Sequence, residues 1–231
     1  MGLPRLTWTR RLVRCSIRAV CRAALKGLAH VHAEGLEHLP RQGPAIVVIN
    51  HLGDADVVLL LAYLPTCPEA LASIDLIEYR WIFWLLQLYG VIWIHRGRPD
   101  RAALKAALQA LEEGRILGLA PEGRQTLIGG LGPGTEGVAY LAVKSGAPVI
   151  PIGITGTFNW QVFPKLRRFQ KIEVSLKVGP PLRFPPPSKA DRKRGLQRAT
   201  EEIMLALARL LPPEYQGIYR EKIGQERSAE A

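Results

Sequence analysis

His51, Asp54 and Asp56 are the residues best suited to chemistry in this chain. They lie in the run Asn50-His51-Leu52-Gly53-Asp54-Ala55-Asp56, between the apolar stretch Ala45–Ile49 and another from Val57 to Leu61. A neutral imidazole takes a proton from a hydroxyl near neutral pH, and a carboxylate fixes its tautomer and stabilises the imidazolium. The spacing from His51 to Asp56 is not the helical i, i+4 spacing. A turn at Leu52-Gly53 therefore has to bring the carboxylate back to the ring. Asp54 is an alternative partner, or the cap of the helix that follows. In a purely structural role, the same residues would be a strand-end histidine beside a capping aspartate.

Two further polar clusters follow apolar runs. His95-Arg96-Gly97-Arg98 comes after Val91–Ile94, and an arginine beside a glycine can grip a phosphate with two hydrogen bonds. Pro121-Glu122-Gly123-Arg124-Gln125-Thr126 comes after Ile116–Ala120. There Glu122 and Arg124, placed around Gly123, can pair with each other and orient a phosphate or a hydroxyl. Each cluster alone is also compatible with an exposed turn. The sequence has no GxSxG nucleophile elbow, no GxxxxGK[ST] phosphate loop and no GxGxxG dinucleotide fingerprint. The glycine-rich run Gly129–Gly134 has a proline inside it and reads as a flexible loop bordering the pocket.

The elements that must position these clusters are strands alternating with helices. Strands are expected at Ala45–Ile49, Gly90–Arg96, Ile116–Ala120, Val149–Ile154 and Ile172–Val178. Helices are expected after Gly53, over Trp81–Tyr89, from Pro99-Asp100 to Gly114, over Glu136–Ser145, and over Lys189–Leu211. This alternation argues for a single α/β domain with a mainly parallel central sheet flanked by helices. Ligands of such sheets bind beyond the carboxyl ends of the strands, where all three polar clusters fall. Residues 31–211 are read as this domain and residues 212–231 as a loose tail.

Residues 1–30 carry seven basic side chains and no acid. Val13, Ile17, Val20, Cys21, Ala24 and Leu28 recur at helical spacing, giving an apolar stripe and a cationic face. That pattern suits a helix lying on an anionic membrane surface, or one docked on its own domain. The formal net charge of the 231-residue chain is +11, which favours an anionic partner. No apolar run reaches the roughly 20 residues of a membrane span. The basic residues sit in amphipathic helices without aromatic interleaving, so no nucleic acid partner is expected. Cys15, Cys21 and Cys67 have no metal-ligand spacing and read as reduced thiols of a cytosolic setting.

Taken in order, these clusters resemble the glycerolipid acyltransferase family, best known from the 1-acyl-glycerol-3-phosphate (lysophosphatidic acid) acyltransferases. Its N-H-x-x-x-x-D motif is matched by Asn50, His51 and Asp56, and its G-x-x-x-x-x-R strand by Gly90 through Arg96. P-E-G-T-R-S is matched in part by Pro121-Glu122-Gly123, and an apolar V-P-V-x-P run resembles Ala147–Gly153. Gln125 stands where the family has arginine, with Arg124 one position earlier, which leaves the acceptor headgroup open.

The resemblance implies transfer of a fatty acyl group from acyl-CoA or an acyl-carrier protein to a lysophospholipid hydroxyl. The foremost acceptor is 1-acyl-glycerol-3-phosphate, giving phosphatidic acid. His51 would be the general base and Asp56 its orienting acid. Asn50, Arg96, Glu122, Gly123 and Arg124 would hold the acceptor. Neither a cofactor, a metal nor a covalent acyl-enzyme is implied, and backbone amides at a helix start would stabilise the oxyanion. The aromatic segment Trp81–Tyr89 would line an acyl tunnel, or simply fill core. The protein would work peripherally at the cytoplasmic face of a membrane. The alternative is a non-catalytic basic protein that binds lipid or nucleic acid.

Overall fold

The computed structural model describes residues 2–95, 97, 100–126, 129–186 and 191–230, with side chains described as far as residue 225. The helices are α1 (Trp8–Leu28), α2 (Ala55–Tyr63), α3 (Arg80–Tyr89), α4 (Arg101–Glu112), α5 (Glu136–Ser145), α6 (Asn159–Arg167), α7 (Arg192–Arg209) and α8 (Arg220–Glu230). The strands are β1 (Ala29–Glu34), β2 (Ala45–Ile49), β3 (Glu69–Ser73), β4 (Ile92–Ile94), β5 (Ile116–Leu119), β6 (Val149–Thr155) and β7 (Ile172–Val178). They form one seven-stranded sheet in the order β1-β7-β6-β2-β5-β3-β4. Every neighbouring pair is parallel except β6 with β7.

Alternation along β2 divides the core into two layers. Ala45, Val47 and Ile49 face a cluster that includes residues of α1, α2, α6 and the end of α3. Ile46 and Val48 face the opposite cluster, built from α4, α5 and α7. Strand β2 is buried on both sides, as an uninterrupted Ala-Ile-Val-Val-Ile run demands. The alanine face of α4, Ala103, Ala106, Ala107 and Ala110, lets that helix approach the sheet closely. The expected mainly parallel α/β architecture is what the chain forms. β1, β3 and α6 are additional elements, and β4 is shorter than the expected strand from Gly90 to Arg96.

Three expectations change. First, α1 docks on its own domain with only part of the apolar stripe: Cys21 is buried and Val13, Ile17 and Ala24 are partly buried, joined by Arg14 and Leu25, whereas Val20 and Leu28 are exposed. Arg14 sets this rotation. Its guanidinium grips both oxygens of Glu69 on β3 at 2.7 and 2.8 Å, and donates to the carbonyls of Tyr89 and Gly90. It also lies 4.6 Å from the centre of the Tyr89 ring. Second, Trp81–Tyr89 fills core only in part, through Tyr89 with Phe83 and Leu86 packed against the cluster. Trp81 and Trp84 are 71% and 61% exposed, and only Tyr89 is buried. Third, the segment beyond Pro212 is packed. Leu131, Met204, Leu207 and Ile223 form a core cluster with Tyr215 and Tyr219 against it. Gln216 is buried and donates to the carbonyls of Ala208 and Leu211.

Glu69 is buried between Arg14 and Arg115, which reaches it at 3.2 Å. Replacing Glu69 with alanine leaves the Arg14 charge buried without its partner. Such a loss costs about 3–5 kcal/mol. Urea denaturation of Glu69→Ala is expected to show a destabilisation of that size with α1 released first. An unchanged midpoint would mean that α1 is held by its apolar contacts alone.

Candidate active site

The site begins where β2 ends. Asn50 donates from Nδ2 to the Ile154 carbonyl at 2.8 Å and accepts the Ile154 amide at Oδ1 at 2.7 Å. Its side chain thus continues the β2–β6 ladder while the main chain turns away. Asn50 is 1% exposed and both polar groups are engaged, so its place is structural and not among the acceptor's ligands. This corrects the expectation for that residue.

His51 and Asp56 meet as their spacing requires. Asp56 Oδ2 lies 2.9 Å from His51 Nδ1 and accepts the backbone amides of Leu52 and Gly53 at 2.7 and 2.9 Å. The Asp56 carboxylate is wholly buried, while 18% of the His51 side chain is exposed. An oxygen already accepting two amide protons is an acceptor toward the ring too, so Nδ1 carries the imidazole proton and Nε2 keeps its lone pair. That is the tautomer a general base needs. Gly53 is required at the turn, because a Cβ there would stand 2.2 Å from the Thr157 carbonyl oxygen.

Asp54 has a different task. Its Oδ2 accepts from Asn159 Nδ2 and its Oδ1 from Gln125 Nε2, both at 3.2 Å, while its amide donates to Asn159 Oδ1. It joins the start of α2 to α6 and to the Glu122 loop. Gln125, the departure from the family pattern, is therefore part of this brace. The amides of Leu52, Gly53 and Asp54, just before α2, are all used by side chains.

The Glu122 loop closes on the dyad from β5. The Thr126 amide donates to the His51 carbonyl at 2.8 Å. Glu122 Oε2 accepts the Gly132 amide at 2.8 Å, and its buried Oε1 has no hydrogen-bond partner among the described residues. Burial pushes the Glu122 carboxyl above its ordinary range, and the Gly132 amide pulls it part of the way back. Gly123 turns the loop with φ at +74°, and Arg124 is exposed. Arg124 forms no ion pair with Glu122, although its charge favours the ionised carboxylate. Arg96 lies outside the described residues. The Gly129–Gly134 run is tethered rather than loose: Leu131 is buried and exchanges backbone hydrogen bonds with Tyr215 and Ile218.

The His-x-x-x-x-Asp spacing recurs at His95 and Asp100, again with Nδ1 and Oδ2 in contact, at 3.0 Å. Here the carboxylate also caps α4 through the Ala103 amide. That amide and His95 hold Asp100 well below the usual carboxylate range. β4 lies three strands from β2, roughly 14 Å at the usual spacing, so the two pairs are separate. Among the described residues, no group of three or more His, Cys, Asp or Glu side chains could hold a metal. The sequence reading missed Asn159 and Gly132. Asn159 sits in an uncharged run with no catalytic spacing, and Gly132 acts only through its backbone.

An open, mainly parallel sheet with a His–Asp pair and a partly buried glutamate at its carboxyl edge places the chain among α/β proteins. The chain belongs to the acyltransferase family, whose sequence model matches residues 30–155. It is 31% identical over 127 residues to a chloroplastic 1-acyl-sn-glycerol-3-phosphate acyltransferase of Brassica napus, covering 54% of this chain and 37% of that protein. It is 29% identical over 129 residues to the 1-acyl-sn-glycerol-3-phosphate acyltransferase of Borreliella burgdorferi, covering 54% of this chain and 51% of that protein. The matches thus span between a third and about half of these relatives' lengths. The crystal structure of the 1-acyl-sn-glycerophosphate acyltransferase PlsC from Thermotoga maritima superposes with a TM-score of 0.63 and 25% identity, over 84% of this chain and 79% of that one.

The raised Glu122 carboxyl makes a pH-dependent prediction. The folded chain holds this proton more tightly than the unfolded chain, so the position favours folding most at low pH. That contribution is lost as pH rises from the ordinary carboxyl value, about 4.3, through the raised one. Glu122→Gln is therefore expected to raise Tm by a few degrees at about pH 7 and by little at about pH 4. Calorimetry at both pH values measures this. Equal shifts at the two would show that the buried charge is not the cause.

Proposed function

We propose that the protein transfers a fatty acyl group from a thioester, acyl-CoA or acyl-carrier protein, to the free hydroxyl of 1-acyl-glycerol-3-phosphate, giving phosphatidic acid. The observation that carries this reading is the 2.9 Å contact between His51 Nδ1 and a fully buried Asp56. It is supported by the names of the relatives, which are 1-acyl-sn-glycerol-3-phosphate acyltransferases.

In this mechanism His51 Nε2 takes the proton of the acceptor hydroxyl as its oxygen attacks the thioester carbonyl carbon. The C–O bond forms and the carbonyl electrons move onto oxygen. They return as the C–S bond breaks, and the departing sulfur takes the proton back from the imidazolium. Asp56 carries no proton at any step. It keeps Nδ1 protonated and stabilises the transient imidazolium. Direct attack fits a chain without a serine or cysteine elbow. Glu122 Oε1 is positioned to accept a hydrogen bond from the acceptor, and Arg124 and Arg96 supply charge for its phosphate.

The reaction is assigned to a membrane surface, since both the acceptor and the product are lipids. No helix among the described residues is long and apolar enough to cross a membrane. Association through the basic helix α1 is the accompanying proposal, with the cytoplasmic leaflet as the site of work.

His51→Ala is expected to lower kcat by about 10²–10⁴-fold, with Tm unchanged, because it removes the base and not a packing group. Asp56→Asn is expected to lose most of the same activity and also some stability, because a neutral amide oxygen holds these three donors more weakly than a carboxylate and no longer stabilises the imidazolium. Mass spectrometry of products from a panel of lysophospholipids, with acyl-CoA and acyl-carrier protein compared as donors, reads both. Undiminished turnover by His51→Ala would overturn the mechanism. A preferred product other than phosphatidic acid would overturn the acceptor.

A further inference from the structure

Most of the exposed large apolar side chains lie on one side of the sheet. α1, α2, α3 and α6 pack on the same face and carry them, Trp8 on α1 and Trp81 and Trp84 on α3 among them. Among the described residues, α4, α5 and α7 on the other face carry none. A soluble monomer rarely leaves so much aromatic surface on one side without a partner.

α6 is the most informative member of this set. Trp160 is 70% exposed, Phe163 is half exposed, and Phe169 just beyond the helix is 99% exposed. Phe169 has φ at +56°, the one positive value at a non-glycine residue among those described. Hydrogen bonds from the Phe169 amide to Leu166 and from the Gln170 amide to Lys165 hold that turn. A bulky side chain in this region is strained, and the fold nevertheless presents the ring to the outside. Between Gly156 and Ile172 the chain has Lys165, Arg167, Arg168 and Lys171 and no acid.

We propose that α6 and the Phe169 turn are a second membrane-contact element, inserting Trp160, Phe163 and Phe169 into the interfacial zone of an anionic bilayer while the four basic residues meet its headgroups. Aromatic rings with flanking lysine and arginine are the composition that settles at this depth. The bilayer is favoured over a protein partner because α1 and α3, which pack on the same face of the sheet, also expose Trp8, Trp81 and Trp84, and the charged residues of α1 are all basic. The consequence is positional. Asn159, the first residue of α6, is bonded to Asp54 in the catalytic turn, and Phe158 stacks on Trp160. Seating α6 in the interface therefore fixes the depth of His51 relative to the lipid. The inference rests on the acceptor being delivered from a membrane.

The test uses the full chain and vesicles of equal parts phosphatidylcholine and phosphatidylglycerol. The triple variant Trp160→Ser, Phe163→Ser, Phe169→Ser is expected to partition onto these vesicles at least about tenfold more weakly. The single variant Phe169→Asn, which suits positive φ and removes only an exposed ring, is expected to lose affinity severalfold with Tm unchanged. Transfer to a short-chain, monomeric acceptor is expected to stay at the parent rate for both, while transfer to acceptor embedded in vesicles falls. Parent-like vesicle binding by both variants would overturn the proposal. So would unchanged vesicle binding with a selective loss of transfer from an acidic carrier protein, which would make α6 a carrier dock. Absence of transfer to any acceptor by the parent would count against the proposed reaction, and the vesicle measurement would still decide the surface.

Discussion

One buried oxygen organises the site. Asp56 Oδ2 accepts two backbone amides and faces the His51 ring, at distances between 2.7 and 2.9 Å. A carboxylate removed from water needs hydrogen-bond donors, and here three converge on Oδ2, while Oδ1 is buried without a partner among the described residues. Those donors come from residues 51, 52 and 53, so the carboxylate winds the chain around itself before α2 starts. The His-x-x-x-x-Asp spacing is the length of that winding. A shorter interval would place the acid at helical spacing on α2, facing away from the ring. The turn is closed from outside by Thr157 in the β6–α6 connection and by Asn159 of α6, which come so near that only glycine fits at position 53.

The location of the site follows from how the sheet divides. β2 and β5 are neighbouring parallel strands, yet β2 leads to α2 on one face while β5 leads through the Glu122 loop to α5 on the other. Their connections diverge, and a crevice opens between them beyond the carboxyl ends. His51 enters it from β2 and Glu122 from β5. Asn50 keeps the opening from spreading into the sheet, since its side chain completes the pairing with Ile154 that the departing main chain gives up. The Thr126 amide on the His51 carbonyl ties the two walls together. A base and a carboxylate that differ widely in sequence are thus held by one strand pair.

Much of this was legible in the sequence, and the misreadings have physical causes. The candidate base was readable because a histidine ends an apolar strand, whereas Asp56 was preferred over Asp54 through the resemblance to the N-H-x-x-x-x-D motif and not through local spacing. Asn50 was misassigned because a polar residue at a strand end looks like a ligand until its burial is known. The burial of Arg14 on α1 was missed because hydropathy places arginine outside, while Arg14 finds a buried partner in Glu69, 55 residues away. No local pattern contains that pairing. The aromatic run of α3 reads as core by composition, yet its Trp81 and Trp84 face outward. α6 escaped because it is short and carries Pro164 inside it.

The C-terminal segment shows how distant sequence can set local chemistry. Its charged, proline-rich composition gives no apolar period, so it reads as a tail. Tyr215 nonetheless stacks on Phe158 and presents its hydroxyl to the Gly156 amide, while its carbonyl accepts from Leu131. Gly130 passes so close to Gly217 that a Cβ on Gly130 would stand 2.7 Å from that backbone. The glycine run is therefore a fitted contact with the C-terminal segment. Its next amide but one, Gly132, is the group that engages Glu122 Oε2. The environment of the Glu122 carboxyl is thus built partly by Tyr215 and Ile218, 84 and 87 positions beyond Leu131, and Glu122 owes its orientation to packing that no motif around it encodes.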